Sequence, residues 1–452
     1  MRIHRTAALL ACAVGISLSG CGGSGGGHPA ADPSGPGAVK ELTIYTDLPT
    51  KGPAGARRRS AQALDIERGA RLALEQWHDR VSYGPHGRGG RYRVELKDLN
   101  DANPATGAYS QDLTTANAQS ATADPTTVAY IGDYDSAATA LSLQALSQTG
   151  ILQVSPWSPY IGFTDPNPAD GKGDPARFYP PSGEQSFARL APSDLVEAQA
   201  TVGFMSTLGV TRLYVLGDVS VFDAAIAQLV ANDAPTVGIT VVGLQPSIDT
   251  QTNTQPQGYA QIAASVAAQR PDAVLLGAAP GVGAMALWRE LHAMLPRAML
   301  FAPSTLATPA FLEAIATPAG RCTTAQGGSA PCRSAAAATY VTSPVLERNQ
   351  YPHAARAVFR AFRRRFKRTP SVLALYGYSA MEDILGAIRK TGRHATDRAD
   401  LLRVFFHHLG VIRGAIGSYT INGKGDSSLR TFDGYRVTAG GGLELRRELS
   451  VP

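Results

Sequence analysis

The chain has 452 residues, 44% hydrophobic and 17% charged, with 42 basic against 36 acidic side chains and a formal net charge of +6. That length implies two or three domains. The basic runs at 57–59 and 363–367 read as solvated surface with no aromatics interleaved at base-stacking spacing, which argues against nucleic acid as a partner.

At the amino end, Arg2 and Arg5 precede an apolar run over 7–18 and then Leu18-Ser19-Gly20-Cys21. This is the layout of a bacterial export signal, too short to span a membrane itself. Small residues directly before a cysteine resemble the lipobox of bacterial lipoproteins. That resemblance implies a lipoprotein signal peptide at 1–20, with Cys21 diacylated and first in the mature protein. The alternative is an ordinary secretory signal followed by a chance cysteine. Residues 22–39 are Gly, Ser, Pro, Ala and Asp with almost no apolar side chain, so 21–39 is expected to be a flexible tether. Beyond it, Asp, Arg, Gln or Pro interrupts every apolar stretch before it reaches the eighteen or so residues of a spanning helix.

Strand and helix patterns then alternate. A short strand is expected at 42–45, and a helix at 65–78, where Ile66, Gly69, Ala70, Ala73, Leu74 and Trp77 form one stripe. Tyr92, Val94 and Leu96 alternate with charged residues as a strand does. A strand at 127–131, a helix at 136–148 and a strand at 151–154 complete a βαβ series, so the sheet should be parallel.

The 165–174 stretch, rich in Pro, Gly and Asp, reads as a long surface loop leading into a hinge near 180–193. The pattern then restarts with helices at 195–208, 222–232, 259–268 and 284–295 between strands at 213–216, 239–242, 273–276 and 299–301. One sheet with all these strands would be unusually wide, so two doubly wound lobes are expected. Helices follow at 354–366, 373–391 and 398–408. Strands at 419–421 and 435–437 should form a closing hairpin whose loop holds 422–426.

Of the cysteines, Cys12 leaves with the signal and Cys21 carries lipid. Cys322 and Cys332 remain, a close pair in an oxidising location that suggests a disulfide. A metal site is the competing reading, but no histidine or second pair lies nearby.

Ser136 stands where the chain leaves the 127–131 strand, turns at Gly132 and starts a helix, so free amides and a hydroxyl point at the crevice beyond the strand's carboxyl end. Such a helix start can hold a carboxylate. It can equally be that Ser136 only caps its helix, as Asp135 also could.

Four stretches form a wider pattern: Gly69-Ala70 with Leu72-Ala73; Tyr130-Ile131-Gly132-Asp133-Tyr134-Asp135-Ser136-Ala137-Ala138-Thr139; Gly150-Ile151-Leu152-Gln153-Val154-Ser155-Pro156; and Tyr376-Gly377-Tyr378-Ser379-Ala380. Their order and spacing resemble the leucine/isoleucine/valine-binding family, the type I periplasmic solute-binding proteins that feed ABC transporters, from about residue 42 to the carboxyl end. The resemblance implies an α/β Venus-flytrap fold of two doubly wound parallel-sheet lobes joined by a three-strand hinge. Lobe one would be 40–190 plus 303–418, and lobe two 191–302 plus 419–452. A small ligand would be held between the lobes, and closure would be the whole mechanism. The expected partners are that small molecule, an ABC transporter permease and the membrane through Cys21. The chain is expected to be a monomer with no cofactor, metal or catalysis.

Members that bind α-amino acids use the matching serine, then a small residue and a threonine in the loop after Ser-Pro. Here that loop reads Ser155-Pro156-Trp157-Ser158-Pro159-Tyr160, with tryptophan and proline in those places. Phe222 matches an aromatic of the second lobe, while Gln255 and Pro256 stand where the family has an acidic residue. The ligand contacts expected are therefore Ser136, Asp135, Thr139, Trp157, Ser158 and Phe222. Stacking on Trp157 and Phe222, with charge from Asp133 and Asp135, would suit a cationic or amide group. Otherwise Trp157 packs in its loop and the aspartates are solvated.

Enzyme motifs are weak. Gly281-Val282-Gly283 before a helix lacks the third glycine of a dinucleotide loop, and no nucleophile elbow, zinc helix or phosphate loop occurs in the folded part. An extracellular lipoprotein hydrolase and a ligand-sensing receptor of the same fold are the alternatives.

Overall fold

A computed structural model describes residues 39–54, 57–169, 174–251, 258–324 and 327–451. The export signal, Cys21 and the tether up to residue 38 lie outside these residues, as do Gln255 and Pro256.

The first half of the chain runs β1 (Lys40–Asp47), α1 (Arg57–Gln76), β2 (Arg80–Tyr83), β3 (Gly90–Leu99), α2 (Gln111–Ala123), β4 (Thr127–Gly132), α3 (Ser136–Gln148), β5 (Leu152–Ser155) and β6 (Phe187–Arg189). These strands make a six-stranded sheet in the order β2-β3-β1-β4-β5-β6, parallel except for edge strand β2. Central β4 is buried along its whole length, as a strand with helices on both faces must be.

The chain then continues through α4 (Asp194–Thr207), β7 (Arg212–Asp218), α5 (Val221–Asp233), β8 (Thr240–Ile248), α6 (Gly258–Ala268), β9 (Ala273–Gly277), α7 (Val282–Met294), β10 (Met299–Ala302), α8 (Pro309–Ala316), β11 (Arg321–Thr323), β12 (Ser329–Pro331) and β13 (Thr339–Ser343). It finishes with α9 (His353–Phe366), α10 (Ala374–Thr391), α11 (Arg398–His408), β14 (Ile412–Gly414), β15 (Gly417–Tyr419), β16 (Thr431–Val437) and β17 (Leu443–Ser450). The second sheet has seven strands in the order β17-β16-β13-β10-β9-β7-β8, parallel apart from β16 and β17.

Three segments therefore pass between the sheets. The first, at 190–193, falls at the end of the expected boundary. The second follows β13, so residues 303–343, assigned to lobe one from the sequence, supply α8, β13 and the β11–β12 hairpin on the side of the second sheet. The third lies between β15 and β16. The expected closing hairpin is likewise rearranged: 422–426 is a tight turn closed by an Ile421–Ser427 bridge, and the true hairpin is β16–β17.

The crossings are tied side by side. Arg189 N donates to Gly425 O at 2.9 Å and Ser427 Oγ to Leu190 O at 2.8 Å. Buried Asp433 accepts from Glu347 N, Gln350 Nε2 and Tyr435 Oη at 2.9–3.0 Å, joining the second crossing to the third.

Helices α9, α10 and α11 return to the first sheet, where α10 lies against α1. Two glycines set that crossing. A Cβ on Gly377 would sit 1.9 Å from the Ile66 carbonyl oxygen, and one on Gly69 would sit 2.1 Å from that of Ala374. Backbone meets backbone, which is why neither position carries a side chain.

The stretch read as a surface loop is exposed at 166, 168 and 169, and the residues on either side of it form a plug. Tyr160, Phe163, Phe178 and Phe187 are buried and share one core cluster with Phe204, Leu213 and Val215 of the second sheet's layer. Burial of each such ring contributes about 1.5–3 kcal/mol, enough to hold a Pro- and Gly-rich segment that has little propensity of its own. Asn167 Nδ2 donates to Tyr160 Oη at 2.9 Å, and Tyr160 Oη donates to Asp174. On the far side of the second sheet, the β11–β12 hairpin brings Cys322 and Cys332 together with their Cα atoms 5.0 Å apart.

Candidate ligand-binding cleft

A cavity of about 720 Å³ opens between the carboxyl ends of the two sheets, within the usual size of a small-molecule site. From the first sheet it is lined by Arg59, Tyr109, Tyr134, Asp135, Ser136 and Trp157, and from the second by Ser220, Phe222, Asp223, Gln251 and Thr305.

Each wall follows from local chemistry. After β4 the chain turns through Asp133 and starts α3 at Ser136, whose Oγ accepts from Tyr160 N at 3.3 Å. Asp135 occupies the helix-cap position without capping; its carboxylate pairs with Arg59 of α1. After β5, Ser155 Oγ accepts from the Trp157 and Ser158 amides at 3.2 and 2.9 Å, a turn that delivers the indole to the cleft.

There Trp157 stacks on Tyr134 with ring centroids 6.4 Å apart and planes 12° apart, and meets Tyr376 edge-on at 6.1 Å. The Arg59 guanidinium lies 5.7 Å above the Tyr134 ring, so the floor is a column of cation and two aromatic planes. Opposite, α5 starts just after β7 and presents Phe222, whose ring meets Tyr160 edge-on at 4.8 Å.

Of the side chains expected at the site, the structure brings Asp135, Ser136, Trp157 and Phe222 together at the cleft. Thr139 and Ser158 are placed elsewhere. Both are fully buried behind the wall, where Thr139 Oγ1 and Ser158 Oγ hydrogen-bond to each other at 2.5 Å and Ser158 Oγ donates to the Asp133 carbonyl. A hydroxyl one helical turn beyond Ser136 points into the α3–β5 junction, so these two brace the loop that carries Trp157.

The negative charge expected from Asp133 and Asp135 is also absent from the cleft. Asp135 is offset by Arg59. Asp133 is buried behind the wall, accepts from Ser142 Oγ and Gln153 Nε2, and has its pKa raised well above the usual carboxylate value by burial and by the carboxyls of Asp47 and Asp101. This removes the electrostatic ground for a cationic ligand.

Sequence reasoning passed over Arg59, Tyr109, Asp223, Gln251 and Thr305. Arg59 sat in a run read as surface, yet its side chain is only 28% exposed and its Nε has no hydrogen-bond partner among the described residues. Thr305 Oγ1 at the cleft wall likewise has no partner among the described residues. No group of three or more His, Cys, Asp or Glu side chains among the described residues is arranged to hold a metal ion.

Carboxyl groups around the cleft and hinge share an unusual state. Burial raises Asp47 to about 7 and, with repulsion from Asp47, Asp101 to about 8. Burial likewise raises Asp194, Glu197 and Asp223 to about 7. The folded chain thus holds protons that the unfolded chain releases near pH 4. That stabilisation is complete below the unfolded values and lost as pH rises through 7–8. Half-buried His292, whose pKa is lowered by burial and by Arg333, opposes it with a single group. Thermal melts should therefore give a higher Tm at pH 5.5 than at pH 8.5; the reverse order would show that these carboxyls are ionised in the folded state.

A family model described as periplasmic binding protein matches residues 58–441. No curated protein matches the sequence. The structure is similar to that of a leucine-binding protein from Thermotoga maritima, with 18% identity and a TM-score of 0.65 over 90% of this chain and 99% of that one. A substrate-binding protein of an ABC transporter from Desulfitobacterium hafniense, in complex with leucine, aligns at 18% identity and TM-score 0.64, covering 90% of this chain and 100% of that one. A solute-binding protein from R. palustris in complex with benzoate aligns at 15% identity and TM-score 0.63, covering 91% and 97%. At these identities the likeness to each is one of fold.

Proposed function

From the chain's membership of the periplasmic binding protein family, we propose that it captures one small polar organic molecule outside the cytoplasm and delivers it to the permease of an ABC importer. It is a binding protein and not an enzyme. The two lobes close over the ligand about the three tied crossings.

The observation that carries the choice of ligand is the column of Arg59, Tyr134 and Trp157 facing Phe222 across the cleft. It suits a molecule with a flat or apolar body and one carboxylate or amide. The body would lie against Trp157 and Phe222, while the polar end would meet Ser136, the α3 amides and Arg59 Nε, with Thr305 Oγ1 opposite. Leucine and benzoate, the ligands in two similar structures, share this plan of an apolar body bearing a carboxylate.

No helix among the described residues is long and apolar enough to cross a membrane. The lipobox-like Leu18-Ser19-Gly20-Cys21 supports attachment through a diacylated Cys21 and the tether behind it, and the Cys322–Cys332 pair is a disulfide kept oxidised outside the cell. The protein acts as a monomer.

Thermal-shift screening against amino acids, amides and small aromatic acids should identify the ligand by a Tm that climbs with concentration. With that ligand, calorimetry on Trp157→Ala should show affinity reduced about 10- to 100-fold, the effect of losing a central aromatic anchor. An affinity equal to wild type would remove Trp157 from the site and with it the basis for choosing this ligand class.

A further inference from the structure

We propose that the outer face of α9 is a docking surface for an anionic lipid bilayer. Arg356, Arg360, Arg363, Arg364 and Lys367 are all exposed. Arg360, Arg363 and Arg364 stand four, seven and eight positions on from Arg356, which places these four on one side of the helix, and Lys367 follows at its carboxyl-terminal cap. The opposite side, Ala355, Val358, Phe359 and Phe362, is buried in the core beneath the first sheet's helices. The helix therefore has no apolar face to insert into lipid, and its cations act through charge alone.

Their lack of partners is selective. Neighbouring Arg365 is paired with Glu75 through two bonds of 2.7 and 2.8 Å, and Arg368 reaches Asp65 at 3.3 Å. Among the described residues, none of the five outward side chains makes an ion pair or hydrogen bond. Arg413, exposed on β14, extends the patch across the hollow it shares with Arg364. None of these residues lines the cleft, so a surface held against α9 leaves the ligand path open.

A row of free cations without a shaped pocket suits a diffuse layer of phosphates better than a fixed set of protein carboxylates. If residues 21–39 act as the tether expected from their sequence, a random coil of that length would span roughly 20–25 Å. At that range even a weak patch works at high effective concentration. The value of docking to the cell thus rests on the Cys21 tether reading, but the surface itself can be measured without it.

The test uses the chain from residue 22, without the basic and apolar signal that would itself bind lipid and without Cys21, with vesicles of phosphatidylcholine alone or mixed with phosphatidylglycerol. Co-sedimentation should be at least tenfold stronger on the anionic vesicles, and should fall as salt rises from about 0.05 to about 0.5 M. It should drop at least tenfold in R356Q/R360Q/R363Q/R364Q/K367Q, whose Tm should match the parent because all five side chains are exposed. No preference for anionic vesicles, or equal binding by the variant, overturns the proposal; a surface meant for an acidic protein would give the first result. Mass analysis of the chain from membranes separates this from the anchor, since an unacylated Cys21 would sink the tether reading and leave the vesicle result standing.

Discussion

Replacing Arg189 with methionine should lower the free energy of unfolding by about 3–5 kcal/mol, the cost of breaking a buried, hydrogen-bonded ion pair from one side. Arg189 has no exposed surface, and its guanidinium has four partners: Asp426 Oδ1 at 2.7 Å, the carbonyls of Ser158 and Tyr160 at 3.1 and 2.6 Å, and Thr164 Oγ1 at 2.5 Å. Methionine fills much of the volume but satisfies none of them. Asp426→Asn should cost much less, because asparagine keeps an oxygen for Arg189 Nε and this side chain is 18% exposed to water. Denaturant unfolding of both variants checks the order. A loss below about 1 kcal/mol for the methionine variant would mean that the loop and the crossings are held by the aromatic plug alone. Because Arg189 grips the loop of 156–164, ligand affinity should fall in the same variant.

Gly377→Val should be comparably damaging, for a steric reason. The added Cβ would fall 1.9 Å from the Ile66 carbonyl oxygen, and neither backbone can yield without parting α1 from α10. Overpacking of side chains costs about 1–3 kcal/mol where they can shift; here the obstacle is main chain and the loss should reach the top of that range or exceed it. Gly386→Ala on the same helix is the control. Its Cβ would meet nothing within 4 Å, and exchanging glycine for alanine inside a helix should be neutral or stabilise by up to about 1 kcal/mol. If both variants melt together, the close crossing does not govern this lobe's stability.

The strongly periodic elements were legible from sequence, and the polar or very short ones were not. Helices expected at 136–148 and 398–408 occur at those bounds as α3 and α11. Helix α2 was missed because its buried side is Thr114, Ala118 and Ala121, with no apolar stripe to betray it. Strand β13 escaped for a similar reason: two of its buried residues are Thr339 and Thr342, so it showed no apolar alternation, and the whole 303–343 segment was given to the wrong sheet.

At the site, Ser136, Trp157 and Phe222 could be read because strand ends and helix starts in a doubly wound sheet converge on one crevice. Arg59 could not. Its meaning depends on α1 lying over the start of α3, so that it meets a carboxylate 76 residues away. Local sequence shows only a basic run. Thr139 and Ser158 misled in the opposite direction, since a motif records that a hydroxyl is present but not which way the helix turns it.

The path of the chain between the sheets bears on how the protein comes to be made. Lobe one lacks the helix that packs on α1 until residues 374–391 have been synthesised, and lobe two lacks two strands of its sheet until 431–450 have followed. Neither half is a continuous stretch of chain, and the packing of α1 on α10 joins residues about three hundred positions apart, as in the bonds of Trp77 to Glu382 and Tyr378 to Gln76. Neither lobe therefore has its full set of layers until most of the chain is available, so this topology of distant pairings makes folding wait on the later segments.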